Sequence, residues 1–248
     1  MTSIEKADKV VKILELVDGN VRHAFKLRSY FCRAAYNDDV KKRFDQSKAA
    51  SGYNQIVDSL YFELIMTLVR LFDNLQEEKN AHNTASIPEL MSLLSETEVV
   101  AELQLRSEQR KTPTGDLEMD LKSSDLDFLK KLKTDAVQAA CKETSQIFSS
   151  FQNYEKLKGS HLLSRLRTVR NELFAHTAIE RNRNNPARYG DAEELLEKTA
   201  QFVGSLNSSV RSLHDDYQGG IKTWQEHAKY FWENIVGEST EKPTSQST

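Results

Sequence analysis

The chain is short of the residues that make turns. Its 248 residues include nine glycines and four prolines. All-β architectures, with a turn every few residues, need many more, so the expected fold is all-α. Only two cysteines occur, Cys32 and Cys141, far apart and with no Cys or His at metal-ligand spacing. That excludes a disulfide scaffold and a zinc knuckle, and fits free thiols in a reducing cytoplasm. No apolar run approaches the ~20 residues that span a bilayer. The first residues, MTSIEKADKVVKILELVDGN, are charged throughout and do not read as a signal peptide. A cytoplasmic protein with no membrane partner is expected. Charge of one sign is not in excess either: 29% of residues are charged and the net is −3. That rules out a basic coat for nucleic acid, while a small basic site stays open. Gly-rich phosphate loops, a Ser-His-Asp motif and paired zinc ligands are missing.

What is present is apolar residues at helical spacing along almost the whole chain. Val10, Ile13, Leu14 and Val17 mark a first helix ending at Asp18-Gly19-Asn20, and residues 21–36 a second, rich in aromatics. Residues 37–52 read as a charged connector with some helical turns. Residues 53–75 form the most apolar helix, apolar on several sides and so expected at the centre. Ser86, with Pro88 and Glu89 after it, reads as a helix start. That helix is expected to run on to about residue 111. A long helix follows from about Ser124, and Gly159-Ser160 ends it and caps the next. Residues 181–191 read as a loop, with Asp191 capping a helix that Gln218-Gly219-Gly220 breaks before the last one. The expectation is a multi-helix bundle of about seven to nine helices. Residues 1–237 form a single domain, with a sub-boundary near 111–123 as the alternative, and 238–248 a polar, disordered tail.

The stretch LRTVRNELFAHTAI, residues 166–179, does not fit a plain leucine-lined helix: Arg170, Asn171 and His176 interrupt it. Arg followed by His at four to six residues is a loose pattern, expected about once by chance in a chain of this composition. Three features add to it: Asn171 directly after the Arg, a helical setting, and a basic stretch downstream with Arg181, Arg183 and Arg188. On a straight helix Arg170 and His176 lie about 120° and about 9 Å apart, too far for one tight pair. The stripe of Leu166, Leu173 and Thr177 runs between them. Were two copies to meet on that stripe across a twofold axis, two Arg and two His would converge on one cleft.

Other candidates have blander readings. Arg70 and Asp73, one turn apart, read as an intrahelical ion pair. His214, Asp215 and Asp216 sit at a helix end, where solvated charge is common, and make a poor metal site even with His227. Trp224, Phe231 and Trp232 follow helical spacing and read as core.

RNELFAH, together with SLYFELIMTLVRLFDN and SIPELMSLLS, resembles the HEPN superfamily, in particular its AbiU-like branch, associated with bacterial abortive infection. The likeness spans roughly residues 50–215. In that branch a helix ending Arg-Leu-x-Asp precedes a Ser-Ile-Pro-x-Leu segment, with the Arg-Asn…His motif downstream. One departure is visible: Thr177, Ala178 and Ile179 follow the His, where members often carry another polar residue.

The resemblance implies a HEPN-like helical fold and metal-independent RNA cleavage, with no metal and no cofactor. Arg170, Asn171 and His176 would be catalytic; Arg167, Arg181, Arg183 and Arg188 would contact RNA. The partners implied are RNA, a second copy of the chain and, for a toxin-like protein, an antitoxin or sensor. Two other readings remain open. One is a catalytically silent module of the same fold that binds RNA or a nucleotide. The other is a protein-interaction bundle in which Arg170 and Asn171 satisfy helix–helix contacts.

Overall fold

The computed structural model describes residues 1–45, 47–73, 85–112, 123–174, 188–213 and 216–235. Among the described residues there are nine α-helices and no strand.

The first helix, α1 (Ser3–Tyr36), starts at a reciprocal cap: the Thr2 hydroxyl accepts from the Glu5 amide, and the Glu5 carboxylate accepts from the Thr2 amide. It does not stop at residues 18–20 as the sequence suggests. Asp18 is not a turn residue but a buried anchor. It accepts from Arg22 Nε at 2.9 Å and from the Tyr217 hydroxyl. The apolar stripe therefore runs unbroken through Val10, Leu14, Val17, Val21 and Phe25 into one core, and that burial outweighs the modest cost of Gly19 in a helix. α1 packs against the helices that begin at residues 50, 87, 97, 189 and 217 and is the axis of the bundle.

Within the expected connector, α2 (Asp38–Asp45) forms because Val40 and Phe44, four apart, both bury. Phe44 stacks on Tyr53 and meets Trp232 edge-on, which closes a satellite core with Ala34. The next helix, α3 (Ala50–Arg70), is central only in its second half, where Leu64, Ile65, Leu68 and Val69 bury. Ile56 in its first half is exposed, and so is Phe62 just past the midpoint. The whole-length central position expected of it is corrected accordingly.

Ser86 does cap α4 (Ile87–Leu94), accepting from the Glu89 amide at 3.4 Å, but Glu89 turns away to pair with Lys9. The helix expected to continue to residue 111 is broken at Ser95–Glu96, and α5 (Thr97–Lys111) starts anew. A straight helix would turn Val99 about 140° away from Leu94. The break re-aims the second stripe (Val99, Val100, Leu103) at the same core.

The long helix α6 (Ser123–Lys158) packs on α5 and on the helix that begins at Tyr189. Ser160 then caps α7 (His161–Phe174), its hydroxyl accepting from the Leu163 amide at 3.3 Å. In α8 (Tyr189–Arg211) the N-cap is Arg188, and Asp191 works from inside the first turn, accepting from the Arg188 amide at 2.7 Å. α8 ends at Ser212, in the left-handed region at φ 54°. The break expected at 218–220 falls earlier: Asp216 caps α9 (Tyr217–Asn234) by accepting from the Gly219 amide at 2.8 Å. Both glycines sit inside the first turn because of close approach. A Cβ at Gly219 would lie 2.3 Å from Asp216 Oδ2, and one at Gly220 would lie 2.9 Å from the Trp224 ring. Of the three aromatics read as core on α9, Trp232 is enclosed and Trp224 partly so, while Phe231 is exposed.

Candidate functional site

The main core draws on residues either side of 111–123, from Ala7 to Ile221, and it sets the two ends that meet at the candidate site. The first is the exit of α3. After Arg70 the chain makes a tight turn in which Leu71 and Phe72 are both buried, and the Leu71 carbonyl accepts from the Ile87 amide at 2.8 Å. Two anchored neighbours therefore fix where Asp73 stands. The second is α7. Leu162, Leu163 and Leu166 are buried in the core, and at about 100° per residue this turns Arg167 and Arg170 toward the α3 exit.

Two arginines one turn apart grip two consecutive residues. Arg167 Nη2 donates to the Phe72 carbonyl at 2.8 Å. Arg170 Nη1 donates to both carboxylate oxygens of Asp73, each at 2.8 Å. The Arg170 Nε–H donates to Asn171 Oδ1 at 3.2 Å, so Asn171 orients the guanidinium directly. On the other side, Arg165 Nη2 pairs at 3.0 Å with buried Asp191 in the first turn of α8. α7 is thus fastened by charge to the end of α3 and the beginning of α8. Arg170 keeps 23% of its side chain exposed and Asp73 28%, so about a quarter of each partner reaches solvent.

Not every expected member is assembled here. His176, Arg181 and Arg183 lie outside the described residues, as do Thr177 and the side chain of Leu173. Arg188 is exposed. Its backbone has a defined role, since its carbonyl accepts from the Asp191 amide at 2.9 Å and from the Tyr61 hydroxyl at 3.4 Å. Leu166, the start of the stripe read as a subunit contact, is fully buried in its own chain's core and offers no face to a partner. The intrahelical reading of Arg70 and Asp73 is also corrected: the ion pair of Asp73 is with Arg170, because the turn at 71–72 carries it off the α3 axis.

Asp73 is the residue that sequence reasoning missed as part of this constellation. Its signal was there in the Arg-Leu-x-Asp segment, but nothing local told it to look across the chain rather than up its own helix. The Phe72 carbonyl had no sequence signal at all. Among the described residues no group of three His, Cys, Asp or Glu side chains could hold a metal ion. No helix of the described residues is long and apolar enough to cross a membrane.

The described residues form the all-helical bundle that the HEPN resemblance implies. The family model of AbiU2, a HEPN family, matches residues 10–231, and the chain belongs to that family. The match is wider than the 50–215 over which the quoted motifs are spread. No curated protein and no solved structure matches the chain.

Proposed function

We propose that this protein is a metal-independent endoribonuclease acting in abortive infection, with Arg170, Asn171 and His176 at its centre. The observation that carries the reading is the setting of Arg170. Its guanidinium is held by Asp73 and Asn171 and still reaches solvent at the last turns of α7. Ribonucleic acid brings its own nucleophile, the 2′-hydroxyl beside each phosphate. In the proposed reaction His176 takes the 2′-hydroxyl proton as that oxygen bonds to phosphorus. The bond from phosphorus to the 5′-oxygen breaks, and this oxygen receives a proton from the second histidine of a dimer or from water. Arg170 stabilises the crowded phosphorane, and Asn171 keeps the guanidinium aimed. The products carry 2′,3′-cyclic phosphate and 5′-hydroxyl ends. Arg181, Arg183 and Arg188, with the remaining donors of Arg167, would hold the flanking phosphates.

The test is cleavage of a labelled oligoribonucleotide by wild type and His176→Ala, with and without EDTA. Loss of cutting in the variant, activity undiminished by EDTA, and cyclic-phosphate ends support the reading. A His176→Ala protein that cuts as fast as wild type removes it. Light scattering addresses the dimer; an active, strictly monomeric protein would require a one-subunit site.

One observation favours a second reading, a silent RNA-binding module of the same fold. Asp73 already neutralises Arg170, which blunts its attraction for phosphate. Binding without cleavage, at every RNA concentration tried, would select it.

A further inference from the structure

An open cavity of about 720 Å³ lies between the last turns of α1, the first turns of α8 and the middle of α9, apart from the α7 site. Four cations line it, Arg28 and Arg33 from α1 and Lys222 and Lys229 from α9, against two carboxylates, Glu193 and Glu226. The arginines are already engaged: Arg28 with Glu197, and Arg33 with Glu233. The lysines are not, and among the described residues neither has an ion-pair partner. Seven residues apart, they share one side of α9, about 10 Å from each other. Glu193 accepts from the Cys32 thiol at 3.2 Å at the inner wall, and the half-exposed ring of Tyr36 forms one lip.

We infer that this cavity is a binding site for a phosphorylated small molecule that also carries hydroxyl or amino groups. The volume falls within the range of ~300–1,000 Å³ usual for small-molecule sites. Two unpaired ammonium groups call for a ligand with concentrated negative charge, and phosphate supplies it. Two carboxylates in the same walls call for hydrogen-bond donors at the ligand's other end. A continuous run of phosphodiesters would meet Glu193 and Glu226 with like charge, so a compact ligand fits better than a polynucleotide. Sugar phosphates and nucleoside phosphates share the required chemistry. Glu193 stands two residues beyond Asp191, which Arg165 ties to α7, so an occupant would touch the turn that helps to fix the arginine-bearing helix.

Cys32 provides the readout. With the exposed thiol removed by Cys141→Ser, the alkylation rate of Cys32 in the folded full-length chain reports occupancy of the cavity. The probes are ribose 5-phosphate, adenosine monophosphate, inorganic phosphate and a ten-residue oligoribonucleotide, each at millimolar concentration. Either of the first two should slow alkylation at least fivefold, with a matching rise in Tm. Both effects should vanish in the Lys222→Gln/Lys229→Gln protein, whose exposed substitutions leave the core intact. Failure of every probe to protect overturns the proposal, as does equal protection in the double variant. Protection by inorganic phosphate and the organic phosphates alike reduces the cavity to a simple anion site and overturns the ligand class. Protection by the oligoribonucleotide only would assign the lysines to an RNA surface instead. None of these outcomes bears on whether His176 is needed for cleavage.

Discussion

Arg170 and Asp73 stand 97 positions apart in the chain, and one guanidinium nitrogen of the first lies 2.8 Å from both carboxylate oxygens of the second. The contact joins the end of α3 to α7 and commits the charge most suited to gripping a phosphate.

With 23% and 28% of the two side chains exposed, the pair lies between a surface bridge, worth up to ~1 kcal/mol, and a buried one, where removal of a partner costs ~3–5 kcal/mol. Asp73→Ala and Arg170→Ala should each lower the unfolding free energy by about 1–2 kcal/mol, and a double-mutant cycle should return a coupling of about 1 kcal/mol. Urea denaturation checks this. Additive single effects would mean that the pair adds nothing to stability.

Arg170→Lys keeps the charge and the attraction of Asp73 but loses the planar fork and the donor to Asn171. For a transition-state contact the expected loss is on the order of 10²-fold in kcat with stability nearly unchanged. Single-turnover cleavage of an oligoribonucleotide measures it. Unchanged kcat would place Arg170 outside the chemistry.

Gly19 lies exposed in the middle of α1, and a Cβ there meets nothing within 4 Å. Gly19→Ala should stabilise the protein by about 0.5–1 kcal/mol. Gly220→Ala should destabilise it, since its Cβ would press on the Trp224 ring at 2.9 Å. Thermal unfolding of the two variants should shift in opposite directions; a shared direction would contradict the geometry.

Burial first, and then the neighbouring Glu193, push the Cys32 thiol up from 9.0 to about 12. Below pH 9 the thiol is protonated in both the folded and the unfolded chain, and it contributes no pH dependence. Between pH 9 and 12 the unfolded chain releases this proton while the folded chain keeps it, so stability falls as pH rises through that window. Cys32→Ser should flatten the alkaline decline of Tm. An identical decline in the variant would assign it to other groups.

The helices themselves were legible because burial of one stripe imposes a 3.6-residue period that needs no knowledge of the partner. Ser86 and Ser160 could be placed as caps for a similar reason: each satisfies an amide three residues away. The misreadings arise where local chemistry competes with burial. Asp18-Gly19-Asn20 has turn chemistry, yet Asp18 finds Arg22 and Tyr217, and the helix continues. Ser95-Glu96 has no glycine or proline, yet the helix breaks there because two apolar stripes have to face one core. Gly219 and Gly220 read as a break, but what they provide is room for Asp216 and Trp224.

At the site the division is the same. Sequence alone determined that Arg170 and Asn171 share a helix late in an all-α chain, because a motif of adjacent residues and a regular period are both local properties. Only the tertiary structure decided that Asp73 holds Arg170, that Phe72 holds Arg167 and that Leu166 is consumed by its own core. Such pairings depend on where an exit turn of α3 lands against α7, and that follows from packing distributed over the whole bundle.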